Sequence, residues 1–339
     1  MRPLALAAVL ALAAGVAQAG GEPVDNVDYA QHAKTPALLD LLRKDYGFTD
    51  ADLAQVVTAL HGARRIPRLI ETEQTSKEKT LSWDAYRAIH VTAGNVKAGA
   101  KFMAEQRKWL ARAEAEYGVA PAAVAAILGV ETKFGAYASP HRALDALATQ
   151  GFDHPTRSDF FFRELAEFFA LCRESHLKAD QVRGSYAGAI GAAQFMPSNY
   201  RRLAVDFDGD GIKDLWQPPD AIGSIANYLV RYAPERAWQR GAPLTVPARL
   251  KHEPKDDWVR NTRQLTHTAG DFYKVGLSTE VPLPTPTPVG LLDLSLADGR
   301  HEYWLALNNF YSVMSYNPRV YYAMAVAELM RELQQADAR

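Results

Sequence analysis

A single cysteine, Cys172, in 339 residues leaves no partner for an internal disulfide, so the fold must rest on its apolar core even in an oxidising compartment. A dominant charge is also missing. The 38 Lys and Arg residues against 39 Asp and Glu give a formal net charge of −1, which supplies no field to recruit nucleic acid or an anionic membrane surface. No run after the first 20 residues approaches the ~20 apolar positions needed to span a bilayer. Internal repeats are absent, and the one biased stretch is the proline-containing "VPLPTPTPVG". What is present is an ordinary globular composition, 48% hydrophobic, in a chain long enough for one large domain or two to three subdomains. Cys172 falls in step with Leu165, Phe168 and Phe169, which predicts a buried, inert thiol instead of a nucleophile.

The opening "MRPLALAAVLALAAGVAQAG" has an early positive charge at Arg2, a short apolar stretch and the small-residue site Ala17-Gln18-Ala19. That is the pattern of a cleaved secretory signal, with maturation after Ala19. No cysteine follows the signal to carry a lipid, so a soluble exported protein is expected.

Five segments follow from pattern and composition: the signal at 1–19, a helical subdomain at 20–112, a core at 113–240, a small β-containing insert at 241–302 and a C-terminal helical part at 303–339 that completes the core. The fold class is mainly α, with a minor β component (α+β). Asp50 before "ADLAQVV" and Thr35 before Pro36 read as helix caps, and Asn317-Pro318 as the cap and first turn of the last helix. "APLTVPARL" and "VPLPTPTPVGLLDLSL" are rich in residues that resist helix and favour extended edges and turns.

One acid stands out. Glu131 in "AAILGVETKFG" continues the helical stripe of Val124, Ile127 and Leu128 instead of lying on the opposite face. A carboxyl on such a stripe loses hydration, which favours the protonated form that a general acid needs. The rival reading is a structural ion pair with Lys133, Arg142 or another cation, or a helix-end marker. "GSYAGAIGAAQFMPSNY" joins small residues, which admit close backbone approach, to Ser185 and Gln194, which can bond sugar hydroxyls or hold a carboxyl in one rotamer. "NNFYSVMSYNPRVYY" gathers Asn308, Asn309, Tyr311, Tyr316, Asn317, Tyr321 and Tyr322, flat faces and amides that suit carbohydrate or a tyrosine-rich core. Tyr228 adds a further hydroxyl or further packing.

"DFDGDGIKDLWQ" follows the EF-hand loop. Asp206, Asp208 and Asp210 fall at positions 1, 3 and 5, Ile212 offers its carbonyl, and Asp214 sits at position 9. Gln217 replaces the closing glutamate at position 12, which predicts either weak affinity or a shell completed by Asp220 from farther along.

Taken in order, "ILGVETKFG", "DHPTRSDFF", "SYAGAIGAAQFMPSNY", "DFDGDGIKDLWQPPDAIGSIANYL" and "NNFYSVMSYNPRVYYAMAVAEL" resemble the lytic murein transglycosylases of the membrane-bound B family, over nearly the whole mature chain. The resemblance implies a lysozyme-like catalytic core with a helical and a small β subdomain. It implies non-hydrolytic cleavage of the β-1,4 bond between N-acetylmuramic acid and N-acetylglucosamine in peptidoglycan, leaving 1,6-anhydromuramoyl ends in cell-wall turnover. Glu131 matches the family's catalytic acid and base. Ser185 and Gln194 match residues that orient it and meet substrate, Tyr228, Tyr316 and Asn317 match residues lining the cleft, and Arg157 one that meets the peptide stem. A second arginine that often precedes Arg157 in the family is Thr156 here. The aspartate loop matches a single structural Ca2+ site, in which Na+ is the alternative ion, with no organic cofactor. The resemblance also implies peptidoglycan glycan strands as partner, cell-wall synthases or other envelope proteins as protein partners, a monomer, and a periplasmic location. A lysozyme-type muramidase and a calcium-dependent peptidoglycan-binding protein remain as alternative functions.

Overall fold

The computed structural model describes residues 27–74, 81–252 and 258–338. The expected signal at 1–19 lies outside them. In chain order the helices are α1 (Thr35–Tyr46), α2 (Asp50–His61), α3 (Arg68–Gln74), α4 (Trp83–His90), α5 (Ala93–Glu105), α6 (Arg107–Tyr117), α7 (Pro121–Thr132), α8 (Ala143–Asp153), α9 (Ser158–Glu174), α10 (Pro197–Leu203), α11 (Pro218–Arg231), α12 (Ala269–Lys274), α13 (Asn308–Tyr316) and α14 (Val320–Asp337). The strands are β1 (His141–Arg142), β2 (Arg183–Gly184), β3 (Thr245–Leu250), β4 (His267–Thr268), β5 (Leu277–Thr279), β6 (Pro288–Ser295) and β7 (His301–Ala306). A mainly helical protein with a small sheet is the class read from the sequence. Among the described residues, no single helix is long and apolar enough to cross a membrane.

The chain divides into two compact units. The first takes the described residues of Thr80–Phe134 and Ile222–Arg339, and the second those of Ala7–Lys79 and Gly135–Ala221.

In the first unit, α7 is buried on every face from Ala122 to Thr132, because its sequence is apolar all round, and α14 and α5 pack along it. Close packing here requires Gly129: a Cβ at that position would stand 2.7 Å from the Phe134 ring and 2.9 Å from Leu329. Pro121 opens α7, where a missing N–H costs nothing. Lys133 then ends it in the left-handed region, its N–H donating to the Gly129 carbonyl while that of Phe134 reaches Leu128.

The five-stranded antiparallel sheet of this unit has the order β4-β6-β7-β3-β5. The β6–β7 hairpin sets Leu291 opposite Leu305 and Leu292 opposite Trp304. Val246, Val289, Leu291, Leu305, Leu277 and Phe272 form its core. The "VPLPTPTPVGLLDLSL" segment thus yields β6 from its last proline, Pro288, onward, and β7 runs on to Ala306. Gly290 is required by close approach, since a Cβ there would lie 1.8 Å from the Tyr311 hydroxyl.

In the second unit, α8 packs on α9, α9 also meets α1 and α10, and β1 pairs with β2. Cys172 on α9 is buried, and burial pushes its thiol up to about 12, so it is inert as expected.

Three capping expectations are corrected by the structure. The cap of α2 is Thr49, in a reciprocal box: its hydroxyl accepts from the Asp52 N–H at 3.2 Å, and the Asp52 carboxylate accepts from the Thr49 N–H at 2.8 Å. Asp50 is the first helical residue. Thr35 also lies inside its helix, where its hydroxyl donates to the Tyr29 carbonyl at 2.6 Å instead of capping. Finally, Asn317 closes α13, its N–H donating to Val313, and α14 starts only at Val320. Pro318 therefore sits in the joint between two helices.

Candidate active site and aspartate loop

Glu131 occupies the last turn of α7 and is 3% exposed. The apolar stripe predicted this burial, but not the partner. Tyr322, near the start of α14, donates its hydroxyl to Glu131 Oε1 at 2.6 Å. Arg142, proposed on sequence as an ion-pair partner, is instead held by the Asp145 carboxylate and the Gly62 carbonyl. Desolvation, and next the nearby Glu131 carboxyl, drive the Tyr322 and Tyr316 phenols well above their ordinary value, so both remain protonated donors.

Tyr316 is braced by an aromatic neighbour. The Tyr228 ring lies 4.7 Å from it, centroid to centroid, and stacks at 4.4 Å on Tyr232. The Tyr228 hydroxyl donates to the Ser315 carbonyl at 2.7 Å, tying the α11 ring to α13. Asn317, the next residue after Tyr316, is 1% exposed, and both its amide nitrogen and its amide oxygen are buried without a hydrogen-bond partner. An orphaned amide of this kind costs free energy unless a ligand satisfies it. Glu131, Tyr228, Tyr316, Asn317 and Tyr322 all belong to the first unit.

Ser185, Gln194, Arg157 and the aspartate loop belong to the second. Ser185 opens a tight turn in which its Oγ accepts from the Ala187 and Ala189 N–H groups at 3.3 and 3.1 Å. Its hydroxyl proton is therefore left to donate elsewhere. Gly188 makes this turn possible, with φ of 82° and no room for a Cβ, which would fall 2.4 Å from Leu147. Gln194 sits in the following turn, where Ile190 and Phe195 exchange backbone hydrogen bonds at 2.8 and 3.1 Å. It holds φ at 51°, a left-handed value that costs a non-glycine residue energy. Its Nε2 donates to Gly191 and Ser139, while its Oε1 is buried and unpartnered. Strain and an orphaned acceptor at one residue make Gln194 a candidate for ligand contact. Arg157 precedes α9, with its guanidinium over the Phe160 and Phe161 rings at 5.0 and 4.8 Å.

The aspartate loop is wound around its own backbone. Asp206 accepts from the N–H groups of Gly209, Asp210 and Gly211, Asp210 from Ile212, and Asp214 from Trp216. Gly209 and Gly211 supply positive φ values of 83° and 91°. Asp220, from the first turn of α11, reaches back to accept from Phe207 at 2.6 Å and from Asp214 at 2.7 Å. Carboxylate oxygens of Asp206, Asp208 and Asp220 come within 4.8 Å of one another, the only such group of three among the described residues. Burial, and after it the charges of Asp208 and Asp206, raise the Asp220 carboxyl. Three converging carboxylates suit a hard cation. Asp210 and Asp214 are outside this group, and Ile212 is exposed.

Residues 34–331 match the Transglycosylase SLT domain family. The chain belongs to this lytic transglycosylase family. It is 34% identical over 319 residues to the membrane-bound lytic murein transglycosylase B of Escherichia coli K12, covering 91% of this chain and 86% of that protein. Soluble lytic transglycosylase SltB1 from Pseudomonas aeruginosa superposes with a TM-score of 0.81 at 36% identity, covering 90% of this chain and all of that one. The structure of the Escherichia coli lytic transglycosylase Slt35 in complex with calcium superposes with a TM-score of 0.82 at 33% identity, covering 93% and 97%.

In this transglycosylase, sequence reasoning placed Tyr322 among the clustered tyrosines but assigned it no part. The signal was too local, because Tyr322 meets Glu131 across 191 residues of chain. Glu164 on α9, a buried carboxyl, was likewise given no part by the sequence reading.

Proposed function

We propose that this lytic transglycosylase cleaves the β-1,4 bond between N-acetylmuramic acid and N-acetylglucosamine in peptidoglycan, with Glu131 as the single acid and base. The observation that carries the reading is a deeply buried carboxyl whose Oε1 is occupied by a neutral phenol donor, Tyr322. Burial disfavours the ionised carboxyl, and the reaction begins from the protonated acid. Glu131 transfers its proton to the glycosidic oxygen as the C1–O bond breaks, and the departing sugar leaves as an alcohol. The muramoyl 2-acetamido carbonyl oxygen supports the cationic C1. The ionised Glu131 then removes the proton from the C6 hydroxyl of the same sugar as O6 bonds to C1, which regenerates the acid and leaves a 1,6-anhydro end. No water is consumed, and the intramolecular attack draws on a high effective concentration. A hydrolase would instead need a second carboxyl, ~5–9.5 Å away, as nucleophile or water base.

Around this centre, Asn317 offers a donor and an acceptor for the acetamido group, and its orphaned amide supports that role. Tyr316, braced by Tyr228, offers an aromatic wall. Ser185 and Gln194 orient the acid or the sugar, and Arg157 meets the peptide stem. Asp206, Asp208 and Asp220 hold Ca2+, with Na+ as the competing ion and Asp210, Asp214 and the Ile212 carbonyl as further ligands. A bound cation neutralises the loop's charge and fixes its path into α11. Export through the N-terminal signal places the protein in the periplasm as a soluble monomer. Its partners there are glycan strands and, among proteins, cell-wall synthases.

Mass spectrometry of fragments released from purified peptidoglycan tests the chemistry. Products one water lighter than hydrolysis products, absent with Glu131→Gln, are expected. Reducing ends would make the protein a muramidase, and turnover by Glu131→Gln would remove Glu131 from the reaction.

A further inference from the structure

The mechanism leaves one buried acid without a task. Glu164 is 6% exposed on α9, and burial raises its carboxyl to about 7. The other buried carboxylates are occupied: Asp145 and Glu328 pair with arginines, and Asp220 lies in the aspartate loop. Glu164 has no arginine hydrogen-bonded to it among the described residues. It grips the start of α10 instead: Oε1 accepts from the Ser198 hydroxyl at 2.6 Å and Oε2 from the Ser198 N–H at 3.0 Å.

Position gives this contact its meaning. Met196 at the cap of α10 makes no side-chain capping bond, and Pro197 has no N–H. The Ser198 N–H is therefore the first amide donor of the helix, and Glu164 caps it from a neighbouring element. Immediately before lies the turn of Ile190 to Phe195, closed by its own pair of backbone bonds and holding Gln194 in a strained conformation. Gln194 itself is tied within the turn to Gly191 and beyond it to Ser139. At the turn's other end, Ala192 donates to the Leu215 carbonyl at 2.7 Å, and Gly191 has no room for a Cβ against Leu215. Glu164 supplies an anchor at the α10 end, three residues past Phe195.

We propose that Glu164 is a positioning residue for the transglycosylase reaction, holding Ser198 so that the turn before α10 presents Gln194 in its strained conformation. This rests on the reading that Gln194 serves the reaction at Glu131. The charged groups acting on Glu164 are Glu167 from its own helix, which disfavours its ionisation, and Arg202 from α10, which favours it. Ionised, both carboxylate oxygens accept from Ser198 and the grip is charge-assisted; protonated, one oxygen becomes a donor and the grip loosens.

The test compares kcat, KM and their pH profiles from pH 5 to 9 for the wild type, Glu164→Gln, Glu164→Ala and Ser198→Ala, with Glu131→Gln as reference. Glu164→Ala is expected to lower kcat about tenfold to a hundredfold with little change in KM, the scale of a displaced catalytic neighbour. Glu164→Gln keeps an acceptor for the Ser198 N–H and recovers most of kcat, but its profile lacks the ionisation near pH 7 that the wild type shows. Ser198→Ala combined with Glu164→Ala costs no more than Glu164→Ala alone. A folded Glu164→Ala with wild-type kcat, or a Glu164→Gln profile identical to the wild type, overturns the proposal. Should Glu164→Ala not fold, the Glu164→Gln profile decides alone. An active Glu131→Gln would instead sink the reading of Glu131, and an inactive one with unaffected Glu164 variants would sink only this inference.

Discussion

Two groups of carboxylates in this protein are kept in opposite ways. At the end of α7, Glu131 is buried in an apolar helix and accepts on its Oε1 from the phenol of Tyr322, a neutral donor. In the aspartate loop, Asp206 and its neighbours lie in a polar turn, bonded to backbone N–H groups, with three carboxylates converging from Asp206, Asp208 and Asp220. The Gly211 N–H, first among several, holds the Asp206 carboxyl below its usual range. Desolvation with a neutral partner suits proton transfer, whereas clustered negative charge with oriented amides suits a cation. The same side-chain chemistry is thus sorted into two jobs by its surroundings.

The largest expected effect comes from removing the acid itself. Glu131→Gln should lose at least the 10²–10⁴-fold that a general acid supplies, with the melting temperature held, as read by anhydro-product release and thermal denaturation. A melting temperature that collapsed would make Glu131 a structural residue and break the contrast. Next, Tyr322→Phe keeps the ring and deletes the donor to Oε1. A hydrogen bond to a charged group is worth about 1.5–3 kcal/mol, so kcat should fall roughly ten- to a hundredfold, and an unchanged kcat would show that Tyr322 merely packs.

The loop should respond the other way round. Chelation, or Asp220→Asn, is expected to lower the melting temperature by several degrees and kcat by less than about threefold, since a ligand at a hundred times its Kd stabilises by about 2.7 kcal/mol. A melting curve indifferent to chelator and to added Ca2+ would remove the cation from the account.

Glu164 lies between the two cases, buried like Glu131 but bonded to a backbone amide like the loop. Its carboxyl, raised from 4.5 to about 7 in the folded protein, binds more protons folded than unfolded across that window. Stability from this group is therefore full below about pH 4.5 and is lost as pH rises toward 7. The loss is on the order of 3 kcal/mol at most. The difference in melting temperature between Glu164→Gln and wild type should accordingly shift in favour of the variant from pH 5 to pH 8. A difference that stayed constant with pH would show that Glu164 does not titrate in this range.

Glu131 was legible because helical periodicity is a local property: the residue continues the line of Val124, Ile127 and Leu128 wherever the helix is buried. The aspartate loop was legible for a similar reason, since alternating acids and turn glycines carry their geometry within twelve residues. Asp220 was the candidate for the missing ligand, and the structure does bring it beside Asp206 and Asp208. The capping reading failed at Asp50, Thr35 and Asn317, each by a residue or more. Several residues at each helix start could cap, and backbone conformation chose Thr49 by letting it exchange bonds with Asp52.

By itself the sequence determined the fold class, the buried acid, the extended character of the insert and the acidic loop. Each is set by spacing over one or two turns of chain, where side-chain direction follows directly from backbone period. Tertiary structure alone decided which partner each acid received: Tyr322 for Glu131, Ser198 for Glu164, and Arg142 for Asp145 instead of Glu131. It also decided that Thr80–Phe134 packs with Ile222–Arg339 in one unit. A pairing of α14 with α7 joins segments almost two hundred residues apart, through close approach at Gly129 and the burial of faces that local pattern marks as apolar but cannot match to one another. Proton chemistry depends on such partners, because hydration, hydrogen bonding and neighbouring charge are properties of the folded neighbourhood and not of the residue.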